Sequence, residues 1–219
     1  MVDVAGADVV AILTRAPSSG GKTRLFDALA RPQDETLLTA LLLDTIDGAS
    51  TPGVSTVVAV TPAAACGAVA ELLPDLQVIA QPEGTLGDRM RMTMQLLFES
   101  GAARVALIGS DLPGIQAPDI RATFSALSRE PASVVLGPAT DGGYYLIAAT
   151  HVPPLFDGVA WGTSGVLDQT LAAAARTGIR VQTIAMRDDI DSVAELLRVR
   201  AALPQSRTAA WARAHLPRS

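Results

Sequence analysis

The chain is poor in the residues that carry much of protein chemistry. It has one cysteine, Cys66, in 219 residues, which excludes an internal disulfide framework and leaves a cysteine-based metal site without ligands. Its two histidines, His151 and His215, belong to no motif and read as surface or helix-end residues. Positive charge is also short: the net charge is −5, against a nucleic-acid binder, whose footprint is a basic face. Any basic patch is therefore local and suited to a small anionic ligand. No run reaches the roughly 18 apolar residues of a membrane-spanning helix. The first residues, MVDVAGADVVAIL, lack the basic start of a signal peptide. These features predict a soluble, cytoplasmic protein with no nucleic-acid or membrane partner. No repeat, low-complexity linker or break in composition divides the chain, so one domain is expected over 1–219.

Apolar residues make up 49% of the sequence, enough to bury roughly 70% of the unfolded surface of a chain this long. They fall in short, continuously apolar, β-branched runs at 8–14, 54–61, 76–80, 103–110, 132–137, 144–149 and 179–185. That is the pattern of strands covered by helices on both faces. Helical periodicity fills the gaps. Leu37, Leu41 and Thr45 share a stripe within 34–48, as do Met90, Met94 and Leu97 within 86–100. A further helix opens at Ala117-Pro118-Asp119 with Ile120, Phe124 and Leu127 facing inward. Others are expected over 164–177, after Asp191, and in a tail at 204–219. The fold class is α/β, a doubly wound sheet.

In such sheets ligands bind at the carboxyl ends of the strands, and polar clusters gather where the apolar runs stop. After the first run come Arg15, Gly20, Gly21, Lys22 and Arg24. The glycines allow close backbone approach, the lysine offers a point charge and the arginines offer planar forks, which together suit a polyphosphate. A solvated basic loop is the plainer alternative. Gly21-Lys22-Thr23 imitates the end of a P-loop, but Ala16 stands where its first glycine belongs and Pro17 removes an amide donor. A P-loop NTPase is thus a minor reading.

Gly109-Ser110-Asp111-Leu112-Pro113-Gly114 places a carboxylate at a strand tip, suited to Mg2+ or to a simple turn. Asp141-Gly142-Gly143-Tyr144 shapes either a hairpin or a recess. Gly87 and Arg89 in G-T-L-G-D-R-M could set amides and a cation beside a nucleotide. Trp161 and Thr163 lie in a loop before a helix that Ser164 could cap. Asp188, Asp189 and Asp191 precede the last strong helix, where Asp191 is either a metal ligand or an ordinary cap.

Taken in order, L-T-R-A-P-x-x-G-x-K-T-R-L, G-T-L-G-D-R-M, G-S-D-L-P-G, L-G-P-A-T-D-G-G-Y-Y-L-I, W-G-T-S and D-I-D-S-V-A-E-L resemble the DUF2064 family. It belongs to the nucleotide-diphospho-sugar transferase superfamily, the glycosyltransferase-A fold. The resemblance runs from about residue 10 to 200, and it implies a mainly parallel but mixed sheet. The K-T-R-L element is also similar to that of phospholactate and phosphoenolpyruvate guanylyltransferases. The first loop departs from the G-x-G-T-R-M form of sugar nucleotidyltransferases.

By this resemblance Arg15, Lys22 and Arg24 contact nucleotide phosphates, while Asp111 and Asp191 hold Mg2+ or Mn2+. The resemblance also implies a nucleotide-binding half at about 8–115 and an acceptor half at about 116–200. Gly142, Gly143, Tyr144, Trp161 and Thr163 would then line the acceptor side, with Lys22, Arg24, Asp111 and Asp141 catalytic. The expected reaction is nucleotidyl transfer from a nucleoside triphosphate to a small anionic metabolite, phosphorylated or carboxylated, with release of pyrophosphate. Glycosyl transfer from a nucleotide sugar is the alternative, with Asp141 activating the acceptor hydroxyl. A non-catalytic nucleotide sensor is the third reading.

Overall fold

The computed structural model of the protein describes residues 2–129 and 133–217. Seven strands form one sheet: β1 (Asp8–Arg15), β2 (Val54–Thr61), β3 (Gln77–Ala80), β4 (Arg104–Gly109), β5 (Ser133–Pro138), β6 (Tyr144–Ala149) and β7 (Arg180–Thr183). Each falls on one of the seven apolar runs, with ends that agree to within two residues. Residue 132 of the fifth run and the last two of the expected tail lie outside the described residues. The helices are α1 (Thr23–Ala28), α2 (Glu35–Ala49), α3 (Cys66–Leu72), α4 (Leu86–Glu99), α5 (Ala117–Arg129), α6 (Val166–Thr177), α7 (Val193–Ala202) and α8 (Arg207–His215). No helix among the described residues is long and apolar enough to cross a membrane.

The sheet order is β3-β2-β1-β4-β6-β5-β7. The strands β3, β2, β1 and β4 are mutually parallel, whereas β6 runs antiparallel to both β4 and β5, and β7 is parallel to β5. This is the mixed, mainly parallel α/β sheet expected. The order reverses at β1, which pairs with β2 on one side and β4 on the other. Such a switch point opens a crevice beyond the carboxyl ends of the two strands.

Alternate residues of each central strand feed opposite faces, as the two-residue period of a strand requires. Val10 and Ile12 of β1, with Ala106 and Ile108 of β4, join Leu42, Ile46, Phe124 and Leu127 of α2 and α5. On the other face Val9, Ala11, Val105 and Leu107 meet Met90, Met94 and Leu97 of α4 and Ala173 and Ala174 of α6. The three predicted stripes are therefore buried, and Met92, between the core residues Met90 and Met94, is exposed. A third cluster binds α1, α2, α7 and α8 through Leu25, Phe26, Leu37, Leu41, Leu196 and Trp211.

Asp34 fastens that third cluster. Its side chain caps α2 by accepting from the Thr36 amide at 2.9 Å, and it accepts from the Trp211 indole of α8 at 2.9 Å. Partial burial works against the ionised form, but the Thr36 and Trp211 hydrogen bonds outweigh it and hold the carboxyl below its ordinary 3.8. A lowered acid pKa stabilises the fold above the unfolded value, and this contribution is lost as pH falls through the native one. Asp34→Asn is therefore expected to melt below the wild type at pH 6, with the gap closing below pH 3.8. Thermal melts at pH 6 and pH 3 check this, and an unchanged gap would count against it.

Candidate functional site

Five segments meet at one end of the sheet. The loops after β1, β4, β5 and β7 leave its carboxyl edge. Because β6 is antiparallel, its first residue, Tyr144, lies at the same edge, opposite Pro138 of β5. All the polar clusters singled out in the sequence lie in or beside these segments.

After β1 the chain makes a 3-10 turn at Pro17–Ser19, and Arg15 Nε donates to the Ser19 carbonyl at 3.0 Å. The Gly21 amide is held by Gln33 Oε1 at 3.0 Å. Lys22 has φ 53° and ψ 40° and stands immediately before α1. Its ammonium donates to Asp111 Oδ2 and to Asp191 Oδ1 at 2.6 Å. Burial opposes the charge on Lys22, but Asp111 and Asp191 more than offset it, so its pKa lies above the ordinary 10.5. Lys22 thus grips carboxylates that are 89 and 169 residues away in sequence.

Asp111, Asp189 and Asp191 each offer a carboxylate oxygen, and these oxygens all lie within 4.8 Å of one another. Asp189 is the member that sequence reasoning passed over as a site residue. Burial, followed by the like charge of Asp111, pushes its carboxyl up to about 6, with Lys22 opposing and Asp191 and Asp141 adding to the rise. Its neighbours explain how the three acids of this loop divide. Asp188 accepts from Thr140 Oγ1 at 2.6 Å and pairs with Arg198 at 3.2 Å. Asp191 is not the cap of α7; Ser192 takes that place in a capping box with Glu195. Glu195 also accepts from the Asp191 amide at 2.8 Å, which leaves the Asp191 carboxylate for Lys22.

The loop is anchored at both ends. The Arg187 amide donates to the Pro138 carbonyl at 3.1 Å, and its guanidinium pairs with Asp119 of α5 at 2.7 Å. The Ile190 amide donates to the Asp111 carbonyl at 3.1 Å, so the two acidic loops are joined through their backbones.

Two cavities adjoin at this cluster and share Arg24, Asp111 and Asp191 in their walls. The first, of about 480 Å³, is a polar cleft lined by Arg15, Gly20, Gly21, Lys22 and Arg89 among others. The Nε of Arg89 is buried without a hydrogen-bond partner. Gln81 also lines this cleft and carried no sequence signal beyond its place at a strand exit. Its amide nitrogen donates to the carbonyls of Thr14 at 2.9 Å and Ala59 at 2.8 Å. That fixes the amide and leaves its oxygen as the acceptor.

The second cavity, of about 340 Å³, is walled mainly by apolar and aromatic side chains, including Met90, Leu107, Tyr144, Ile147 and Trp161. Asp141, Gly143, Thr163 and Asp189 also line it, and Arg24 is the one cation in its described lining. Tyr144 and Trp161 meet edge to face, with ring centroids 6.2 Å apart. Asp141 Oδ1 accepts from the Gly143 amide at 2.8 Å, which sets the turn between β5 and β6.

Gly87 and Gly142 line neither cavity. A Cβ on Gly87 would lie 2.4 Å from Trp161 Nε1, so the absence of a side chain at this position makes room for the indole. A Cβ on Gly142 would lie 2.1 Å from the Ser164 carbonyl oxygen. Ser164 itself is not a cap: α6 begins two residues later than expected, after Gly165, with no side-chain cap.

A Desulfovibrio desulfuricans protein, a candidate nucleotide-diphospho-sugar transferase, superposes with a TM-score of 0.85. It is 27% identical, over 95% of this chain and 94% of that one. CMP:2-keto-3-deoxy-manno-octonic acid synthetase complexed with CTP matches with a TM-score of 0.58 at 16% identity, over 91% and 99% of the two chains. A Mycobacterium tuberculosis protein in complex with manganese matches with a TM-score of 0.50 at 16% identity, over 88% and 98%. Among curated proteins none matches by sequence. The fold is therefore shared with nucleotide-binding transferases. The family described as "Uncharacterized protein conserved in bacteria (DUF2064)" matches residues 45–163, more than half of the 219 residues, and the chain belongs to it.

Proposed function

We propose that the protein is a divalent-metal-dependent nucleotidyltransferase acting on small soluble metabolites. One observation carries the reading: a compact trio of carboxylates stands at the junction between a cation-lined polar cleft and a second, mostly apolar cavity. The donor set fits the metal. Three clustered carboxylates offer hard, negatively charged oxygen ligands, the kind that Mg2+ and Mn2+ take, leaving further positions to phosphate and water. Asp111, Asp189 and Asp191 would hold the ion, which supplies charge neutralisation at the phosphates when bound.

Arg15, Lys22, Arg24 and Arg89 bind and orient the triphosphate in the polar cleft, with Gln81 accepting from the group beside them. An acceptor oxygen in the second cavity forms a bond to the α-phosphorus, the bond from that phosphorus to the bridging oxygen breaks, and pyrophosphate leaves with the electron pair. The cations act where charge grows on the phosphoryl and leaving oxygens. A phosphate or carboxylate acceptor arrives already ionised, so no protein base is required.

A second reading, glycosyl transfer, is favoured by the lining of the second cavity. Apolar side chains with four carboxylates (Asp111, Asp141, Asp189 and Asp191) and a single arginine suit an uncharged, hydroxyl-bearing ring better than a second phosphate. In that reaction the nucleoside diphosphate occupies the polar cleft, and Asp141 takes the proton of the acceptor hydroxyl.

Incubating the protein with each nucleoside triphosphate and with common nucleotide sugars, in Mg2+ and a metabolite extract, separates the readings by mass spectrometry. Pyrophosphate is the expected product. Release of a nucleoside diphosphate from a nucleotide sugar would replace nucleotidyl with glycosyl transfer. Tight binding without either product would make the protein a sensor and overturn both.

A further inference from the structure

Resting on the reading of Asp111, Asp189 and Asp191 as a metal site, we propose that Lys22 is that site's built-in competitor. Its ammonium holds a cation's place in the free protein, and a polyphosphate draws it into the polar cleft as the metal enters. Lys22 donates to Asp111 and Asp191, two of the three residues whose oxygens cluster within 4.8 Å. A divalent ion would draw on those same two carboxylates, and two cations crowded onto them repel strongly. Metal entry therefore requires the ammonium to leave.

The ammonium has somewhere to go. Lys22 also lines the polar cleft beside Arg15, Arg24 and Arg89, and its flexible four-carbon stem lets the head group move while the backbone stays at the start of α1. The charge balance sets the order of events. One ammonium does not neutralise three carboxylates, so a divalent ion suits the trio better, but displacing a half-buried ammonium into an empty cleft leaves it unpaired. A polyphosphate removes that penalty by pairing with it. Metal and nucleotide are then mutually reinforcing ligands, each weaker without the other.

The test uses Lys22→Met and two probes, Mn2+ alone and inorganic pyrophosphate with Mg2+. Mn2+ binding is followed by the electron paramagnetic resonance of the free ion. Lys22→Met is expected to bind Mn2+ about tenfold tighter than the wild type, the scale of one charged hydrogen bond no longer to be broken. By calorimetry in Mg2+ the same variant is expected to bind pyrophosphate about tenfold more weakly. Asp189→Asn should weaken Mn2+ binding in either background.

Equal or weaker Mn2+ binding by Lys22→Met, with Asp189→Asn still impairing the wild type, overturns the competitor role and leaves the metal site standing. Unchanged pyrophosphate binding also overturns it, because the ammonium then never reaches a phosphate. Absence of Mn2+ binding to every variant overturns the metal reading and this proposal together. Should Lys22→Met fail to fold, Lys22→Gln removes the charge while keeping a donor toward Asp111, and the same signs are expected.

Discussion

Asp111→Ala is expected to lower transfer on the order of 10³-fold at saturating Mg2+ while leaving the fold in place. The carboxylate belongs to all three parts of the proposed site: it lines both cavities, pairs with Lys22 and stands in the acidic trio. Removing a preorganised electrostatic group from a water-poor site costs about 10²–10³ in rate, and here the metal's anchorage goes with it. Little stability is at stake. The backbone carbonyl, which accepts from Ile190, survives the substitution, and Lys22 keeps Asp191 as its ion-pair partner. Loss of the side chain also relieves the crowding that pushes Asp189 upward. Rate measurements with parallel thermal melts decide the matter, and a wild-type rate in Asp111→Ala would remove the residue from the mechanism. Asp111→Asn keeps the shape and drops the charge, so it should be nearly as inactive if charge is what matters.

Gly142→Ala is expected to be among the most destabilising single substitutions. Gly142 has φ +89°, a conformation side chains rarely adopt, and the new methyl group would meet the Ser164 carbonyl. Neither partner can give easily, because the Gly142 carbonyl accepts from the Leu167 amide in the first turn of α6 at 2.9 Å. Backbone strain and a clash with main chain together cost about 2–4 kcal/mol, or roughly 5–15 °C in melting temperature for a protein of this size. The turn also carries Asp141 into the second cavity, so the loss should extend to the proposed acceptor side. A variant melting within 2 °C of the wild type, measured by calorimetry to about that precision, would mean that the 163–167 segment can move aside freely.

The fold was legible in the sequence because its strands are short, β-branched and apolar on both faces, a signal that needs no knowledge of partners. Side-chain destinations that depend on distant residues were not. Asp188, Asp189 and Asp191 look alike locally, and Thr140, Arg198 and Lys22, brought in from three other elements, sort them into an anchor, a half-buried acid and an ion-pair partner. Gly87 sits in a motif that reads as a nucleotide contact, and its packing against Trp161, 74 positions further on, shows only once α4 and the loop before α6 are brought together. Ser164 has the right residue type for a helix cap but spends its carbonyl against Gly142. Lys22 illustrates the same limit from the other side: its loop pointed to anions, and the anions it meets here are the protein's own.

The reversed direction of β6 divides the molecule in a way that bears on how such proteins diversify. The polar cleft rests on the parallel strands β1, β2 and β4, whose register any change would disturb across the whole sheet. The second cavity takes much of its outer wall from the β5–β6 turn and from the segment ahead of α6, both connections rather than framework. Connections tolerate changes of length and composition far better than the strands they join. Recombination or laboratory grafting of those two connections could therefore exchange the second ligand of the proposed transferase while the polar cleft proposed for the nucleotide is inherited intact.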